Sequence, residues 1–364
     1  MKITGIRTGR ISVPLKRPFK TALRTVNSVE DVIVEVVTDT GNTGYGEAPP
    51  TAVITGDTIG SVVEAIENVI SKQLIGMEIE NIEEIMKRLN GCLVKNTSAK
   101  AAVDMAIYDL YGQLYNAPLY KLLGGYTNKI TTDITISVND TEQMVADSLE
   151  AVSLGYDTLK IKVGKKSAQE IKTMKEIRKA VGNGINLRLD ANQGWKPKEA
   201  VRALREMEDE DLDIELVEQP VDAHDIEGLK YVTDNILIPV LADEAIFSPA
   251  DAIKVLQMRA ADLINIKLMK TGGIYNALKI CSLAEIYGVE CMIGCMLEAK
   301  ISVTAAVHLA AAKSIITKAD LDGPVLCAED PIIGGAVFNE SKIVLNDDAG
   351  MGIKGVEGLT YTQA

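Results

Sequence analysis

The chain has 364 residues, 47% of them hydrophobic, and a formal net charge of −13 from 51 acidic against 38 basic side chains. That length suits a full barrel plus a smaller domain around a well-filled core, and the charge repels a polyanion, which excludes nucleic acid as a partner. Met1 to Arg7 opens no apolar run of signal-peptide length, and no later stretch reaches about 18 uninterrupted apolar residues, so the expectation is a soluble cytoplasmic protein with no membrane partner.

Residues 1 to about 50 read as a three-stranded antiparallel meander, with strands at Ile3 to Val13 and Asp31 to Thr38 and a turn at Asp39-Thr40-Gly41-Asn42. From about 58 to 123 the pattern turns helical, ending in the stretch Ala99 to Leu110 and a stop at Gly124-Gly125. Beyond Gly125 the chain alternates. Candidate strands fall at Ile130 to Val138, Thr158 to Val163, Ile185 to Asp190, Ile214 to Glu218, Ile238 to Asp243, Leu263 to Lys267, Val289 to Met296 and Thr317 to Asp322. Helix-length segments such as Ser167 to Val181 and Ala250 to Arg259 lie between them. Eight strands joined by helical crossovers predict a parallel (β/α) barrel, because such connections are right-handed and close readily at that number. The predicted organisation is therefore an α+β region at 1–125, a barrel at 126–323, and a Gly- and Pro-rich tail at 324–364 that returns to the first region. Five cysteines, none spaced as CxxC, read as reduced packing residues, and with only His224 and His308 available, lysine leads as the candidate general base.

Charged residues recur at the barrel period: Lys162, Asp190, Glu218, Asp243 and Lys267, in steps of 190−162 = 28, 218−190 = 28, 243−218 = 25 and 267−243 = 24. Side chains two apart on a strand share a face, so in Leu159-Lys160-Ile161-Lys162-Val163 both lysines point into the barrel while the apolar residues face the outer helices. The charges then converge at the C-terminal ends of the strands, where barrel active sites form. A buried ion-pair network without catalysis is the competing reading. Three carboxylates without histidine or cysteine favour Mg²⁺ over zinc, with Mn²⁺ as a substitute. A divalent ion on a substrate carboxylate stabilises the enediolate left when the adjacent proton is removed. Lys162 and Lys267, with amine pKa values expected to be depressed by the metal and by neighbouring lysines, would take a proton from one face and return one to the other. Lys160 would lower the pKa of Lys162 and add positive charge beside the enediolate.

The motifs Lys160-Ile161-Lys162, Asp190-Ala191-Asn192-Gln193, Glu218-Gln219-Pro220, Ala242-Asp243-Glu244 and Asn265-Ile266-Lys267-Leu268-Met269-Lys270-Thr271-Gly272-Gly273 resemble the enolase superfamily, muconate-lactonising-enzyme subgroup. A Lys or His base with Mg²⁺ at the enediolate is the known pattern of those sites. The resemblance implies a modified (β/α)8 barrel of (β/α)7β type, capped by an α+β domain built from the N-terminal region and the C-terminal tail. It also implies metal ligation by Asp190, Glu218 and Asp243, and a homo-oligomer.

Reactions within the superfamily differ, so other residues must choose the substrate. Asp320-Leu321-Asp322 places two unpaired carboxylates toward the pocket, suited to a substrate ammonium, and is similar to the Asp-x-Asp element of dipeptide epimerases. Helix capping near the following Gly-Pro turn is the alternative. Arg24, in a segment resembling the family's mobile loop, offers a planar fork for a side-chain carboxylate, and Ala22-Leu23-Arg24 is similar to the L-Ala-D/L-Glu epimerases. Cys295 and Met296 are expected to line the pocket, and Thr135 either touches substrate backbone or packs in the core. Ala299 stands where many relatives carry Ser. The expected reaction is epimerisation of L-Ala-Glu at the C-terminal residue, in murein peptide metabolism. A dipeptide epimerase of other specificity is the first alternative, followed by succinylbenzoate synthase, N-acylamino acid racemase and muconate cycloisomerase activities, whose substrates carry no free ammonium; a metal-stabilised binding protein is the alternative outside enzymes.

Overall fold

In the computed structural model, which describes residues 1–20, 25–164 and 167–362, the first two strands form one long hairpin, Ile3–Lys20 against Thr25–Thr38. Gly41, at φ 82°, turns the chain from the second strand into the third, Thr43–Ala48. Val32, Ile33, Val34 and Val36 of the second strand are fully buried. The helix Thr97–Leu114 lies on this sheet so closely that a Cβ on Gly46 would stand 1.8 Å from the carbonyl oxygen of Ala102. The sheet has four strands, not the expected three: Thr360–Tyr361 pairs antiparallel with the first strand, Gly9 opposite Tyr361. Two exposed residues have no periodicity of their own to mark them as a strand.

The eight parallel barrel strands are Ile134–Ile136, Thr158–Lys162, Asn186–Asp190, Ile214–Glu218, Val240–Ala242, Leu263–Lys267, Glu290–Gly294 and Ile316–Asp320, neighbours in that order. The seam between first and eighth is bridged by Asp133 N donating to Ala319 O at 3.3 Å and Leu321 N to Thr132 Oγ1 at 2.7 Å. The predicted strand over 130–138 is two. Lys129–Thr131 pairs with Lys342–Val344 of the tail, whereas Thr132 and Asp133 turn inward to the barrel seam. Long helices follow each of the first seven strands, ending with Lys300–Ala312; the eighth leads only into the short turn Gly323–Leu326. The fold is thus a (β/α)7β barrel with an antiparallel sheet domain beside it.

Buried carboxylates join the two parts. Asp104, on the helix Thr97–Leu114, accepts from Ile274 N at 2.6 Å and Tyr275 N at 3.2 Å, capping the barrel helix Ile274–Tyr287. Glu47 of the third strand accepts from Ala299 N and Ser302 N, each at 2.8 Å, at the start of Lys300–Ala312. Inside the barrel, Leu216, Leu241, Leu263 and Met292 form a small apolar layer, crossed by Arg188 reaching Asp133 at 2.8 Å and Glu215 at 2.6 Å.

Candidate active site

Parallel register sets the charges side by side. Lys162 pairs with Asp190, and Asp190 with Glu218, at the C-terminal ends of successive strands. Alternation along Thr158–Lys162 turns Lys160 and Lys162 to the same face, and all five residues of that strand are buried. Lys162 Nζ donates to Asp190 Oδ2 at 2.5 Å. Lys160 Nζ lies 3.0 Å from Asp190 Oδ2, 2.7 Å from Glu218 Oε2 and 2.6 Å from Asp320 Oδ2. Across the barrel, Lys267 Nζ donates to Asp243 Oδ2 at 2.7 Å and lies 3.6 Å from Glu218 Oε1. In the order of eight strands, those carrying Lys162 and Lys267 are four apart, on opposite walls.

Burial pushes the Glu218 carboxyl up to about 7, with Asp190 adding to the rise. Burial also opposes ionisation of Asp190, but Lys160 and Lys162 hold it well below the usual carboxylate range. Among protein groups alone, without the cation that the expected depression invokes, two effects compete at the Lys267 amine pKa. Burial lowers it, yet facing Asp243 and Glu218 more than offset this, and its ammonium is held above the ordinary lysine value.

A cavity above these charges is lined by Thr135, Lys160, Lys162, Asn192, Lys267, Cys295, Met296, Asp320 and Asp322. Phe19, Val53 and Ile54 from the N-terminal region, with Leu297 and Leu326, complete its wall. The two aspartates of Asp320-Leu321-Asp322 both face it, but neither is unpaired. Asp320 is taken by Lys160, and Asp322 Oδ2 accepts from Thr135 N at 2.7 Å, tying the eighth strand's exit to the first strand. Burial, then Asp320, pushes Asp322 up to about 6. Arg24 lies outside the described residues.

Sequence reasoning assigned nothing to Lys270, whose fully buried Nζ contacts Asp243 Oδ1 at 2.5 Å and donates to Asn265 O at 3.1 Å. Its place three residues after Lys267, on the single helical turn Leu268–Thr271, was the available signal. The apolar wall from Phe19, Val53 and Ile54 had none: Phe19 sits at the far end of the long strand Ile3–Lys20, past an irregularity in its pairing, and Val53 and Ile54 lie in a turn, where no period aims a side chain.

Among the described residues no three acidic, histidine or cysteine side chains form a ready cation cage, since lysine ammoniums lie between the carboxylates. The donor set nevertheless fits a hard cation: Asp190, Glu218 and Asp243 are buried oxygen donors, and Glu218 Oε2, although near Lys160, has no aligned hydrogen-bond donor.

Residues 4–124 match the mandelate racemase / muconate lactonizing enzyme N-terminal domain, and residues 143–357 match the enolase C-terminal domain-like family. The chain belongs to the mandelate racemase and muconate lactonizing enzyme family of the enolase superfamily. Within that family it is 65% identical to an L-Ala-D/L-Glu epimerase of Clostridium acetobutylicum, over 98% of this chain and 99% of that protein. A substrate-liganded L-Ala-D/L-Glu epimerase from Bacillus subtilis superposes with a TM-score of 0.97 at 52% identity, covering 98% of this chain and 99% of that one. A dipeptide epimerase from Enterococcus faecalis, complexed with Mg and L-Leu-L-Tyr, gives 0.95 at 45% identity, with 98% and 100% covered.

Proposed function

We propose that this chain is a dipeptide epimerase that inverts the α-carbon of the C-terminal residue, interconverting L-Ala-L-Glu and L-Ala-D-Glu by two-base 1,1-proton transfer. The observation that carries the reading is the pair of lysines, Lys162 and Lys267, on opposite walls of one carboxylate-lined pocket. Relatives named as L-Ala-D/L-Glu epimerases support the substrate.

Asp190, Glu218 and Asp243 would hold Mg²⁺, as the Mg-bound relative supports, with Mn²⁺ as a substitute. When bound, the ion neutralises charge that develops on the substrate carboxylate during proton removal. The chain's own residues do the rest. One lysine takes the α-proton at Nζ from one face, and the other delivers a proton to the opposite face, so the centre inverts. Lys160, between the metal carboxylates and Asp320, adds positive charge beside the reacting carboxylate. Asp320 and Asp322 receive the substrate ammonium, which makes a free amine a requirement. Thr135 shares this wall through its bond to Asp322, Cys295 and Met296 lie against the dipeptide, and Arg24 is assigned to the glutamate carboxylate.

We assign the enzyme to the cytoplasm and to turnover of murein peptides, as a homo-oligomer. No helix among the described residues is long and apolar enough to cross a membrane.

The test is incubation of purified protein with L-Ala-L-Glu and Mg²⁺, with chiral chromatography of the product. Appearance of L-Ala-D-Glu, abolished by EDTA and restored by Mg²⁺, is the expected result. Turnover of succinylbenzoate precursors or N-acylamino acids in its place would replace this reading with one of the alternatives.

A further inference from the structure

The three proposed metal carboxylates are not held alike. Asp190 and Glu218 are the last residues of their strands and are paired there in the ladder, Asp190 opposite Glu218. Asp243 lies outside its strand, Val240–Ala242, whose pairing ends at Leu241 opposite Glu218 on one side and Ala242 opposite Ile264 on the other. No sheet bond reaches its backbone N–H. A side chain does so instead: Gln219 Oε1 accepts from Asp243 N at 2.9 Å and from Ala245 N at 3.1 Å.

Gln219 is itself fixed on every side. It is fully buried, at φ 36°, and its Nε2 donates to Val221 O at 2.9 Å. Its backbone N donates to Leu241 O at 2.9 Å, and its carbonyl accepts from Gln193 N at 2.9 Å, on the loop that follows Asp190. One residue thus links the exits of all three carboxylate-bearing strands, and its amide replaces the ladder where the ladder stops. A left-handed backbone at a non-glycine residue is sustained only where surrounding bonds over-determine it.

We infer that Gln219 is a positioning residue that sets how Asp243 is presented to the divalent cation. This rests on the reading of Asp190, Glu218 and Asp243 as its ligands. Groups that orient a ligand without touching the metal are typically worth about 10–100-fold in metal affinity. Gln219→Ala removes the acceptor of both N–H groups. Gln219→Asn keeps an amide but is too short to span them. Gln219→Glu retains an acceptor oxygen at the same reach and, protonated at this fully buried position, a donor for Val221 O. Gln193→Ala is the control, because Gln193 Oε1 accepts from Ala223 N at 2.9 Å, away from the Asp243 turn.

Free Mn²⁺ is followed by electron paramagnetic resonance during titration of each protein without substrate, beside circular dichroism and thermal unfolding. Gln219→Ala and Gln219→Asn are expected to weaken Mn²⁺ binding roughly 10–100-fold with the fold retained, whereas Gln219→Glu and Gln193→Ala stay close to wild type. Should Gln219→Ala not fold, the contrast of Asn with Glu decides. Wild-type affinity in Gln219→Ala or Gln219→Asn, or an equal loss in Gln193→Ala, overturns the inference. Failure of the wild type to bind Mn²⁺ overturns the ligand assignment beneath it.

Discussion

Replacing Asp322 with Asn removes a charge while leaving the local architecture intact. The aspartate's structural duty is to accept from Thr135 N at 2.7 Å, which an amide oxygen also performs, so the seam between first and eighth strands should hold. Lost is an anion facing the cavity beside Asp320. A hydrogen bond to a charged partner contributes about 1.5–3 kcal/mol, and at about 1.4 kcal/mol per decade this corresponds to roughly a 10–150-fold fall in kcat/KM for a substrate whose ammonium it receives. The assay compares kcat/KM for L-Ala-L-Glu with the inhibition constant of N-acetyl-L-Ala-L-Glu, which has no ammonium. Asp322→Asn should lower the first by that factor and leave the second unchanged or tighter, with an unaltered melting temperature. Unchanged turnover of the free dipeptide, or equal weakening of both ligands, would refute the reasoning.

His308 is buried, its Nδ1 accepting from Tyr120 N at 3.0 Å, and burial lowers its pKa from an ordinary 6.5 to about 4. Between those values the unfolded chain binds the extra proton, so stability is lost as pH falls from about 6.5 to about 4, by a maximum of ~3 kcal/mol. His308→Asn, which keeps an acceptor, should show a shallower acid limb in urea unfolding, and an unchanged limb would exclude this histidine as its source. Gly46→Ala drives a methyl group onto the Ala102 carbonyl and should cost ~3 kcal/mol or more by urea unfolding, because backbone must move. Near wild-type stability would show that the helix and sheet slide apart freely.

The barrel was legible because each strand end repeats the same demand at the same interval. Lys162, Asp190, Glu218, Asp243 and Lys267 declared the period, and with Lys160 they meet in one buried charge cluster beneath the cavity that the three lysines line. Asp320 and Asp322 were legible as pocket residues but not as partners of Lys160 and Thr135, since those contacts join strands far apart in sequence. The fourth sheet strand was hidden because two residues, Thr360 and Tyr361, carry no pattern, and the 130–138 strand was misjudged because Thr132 and Asp133 are drawn inward. Gln219 is polar, buried and bonded mainly to backbone, so nothing in residue type announced its place.

The central claim is that Lys162 and Lys267 act on opposite faces of one α-carbon, and removing each in turn tests it with little confusion from folding. Without Lys162, Asp190 keeps Lys160 at 3.0 Å; without Lys267, Asp243 keeps Lys270 at 2.5 Å, so neither variant strands a buried carboxylate. Lys162→Ala and Lys267→Ala are incubated in D₂O with Mg²⁺ and each diastereomer of L-Ala-Glu, and the glutamate α-proton is followed by NMR. Both variants should fail to epimerise, each exchanging that proton in one diastereomer only, and the diastereomer should differ between them. Exchange of both diastereomers by either variant would contradict the two-base assignment.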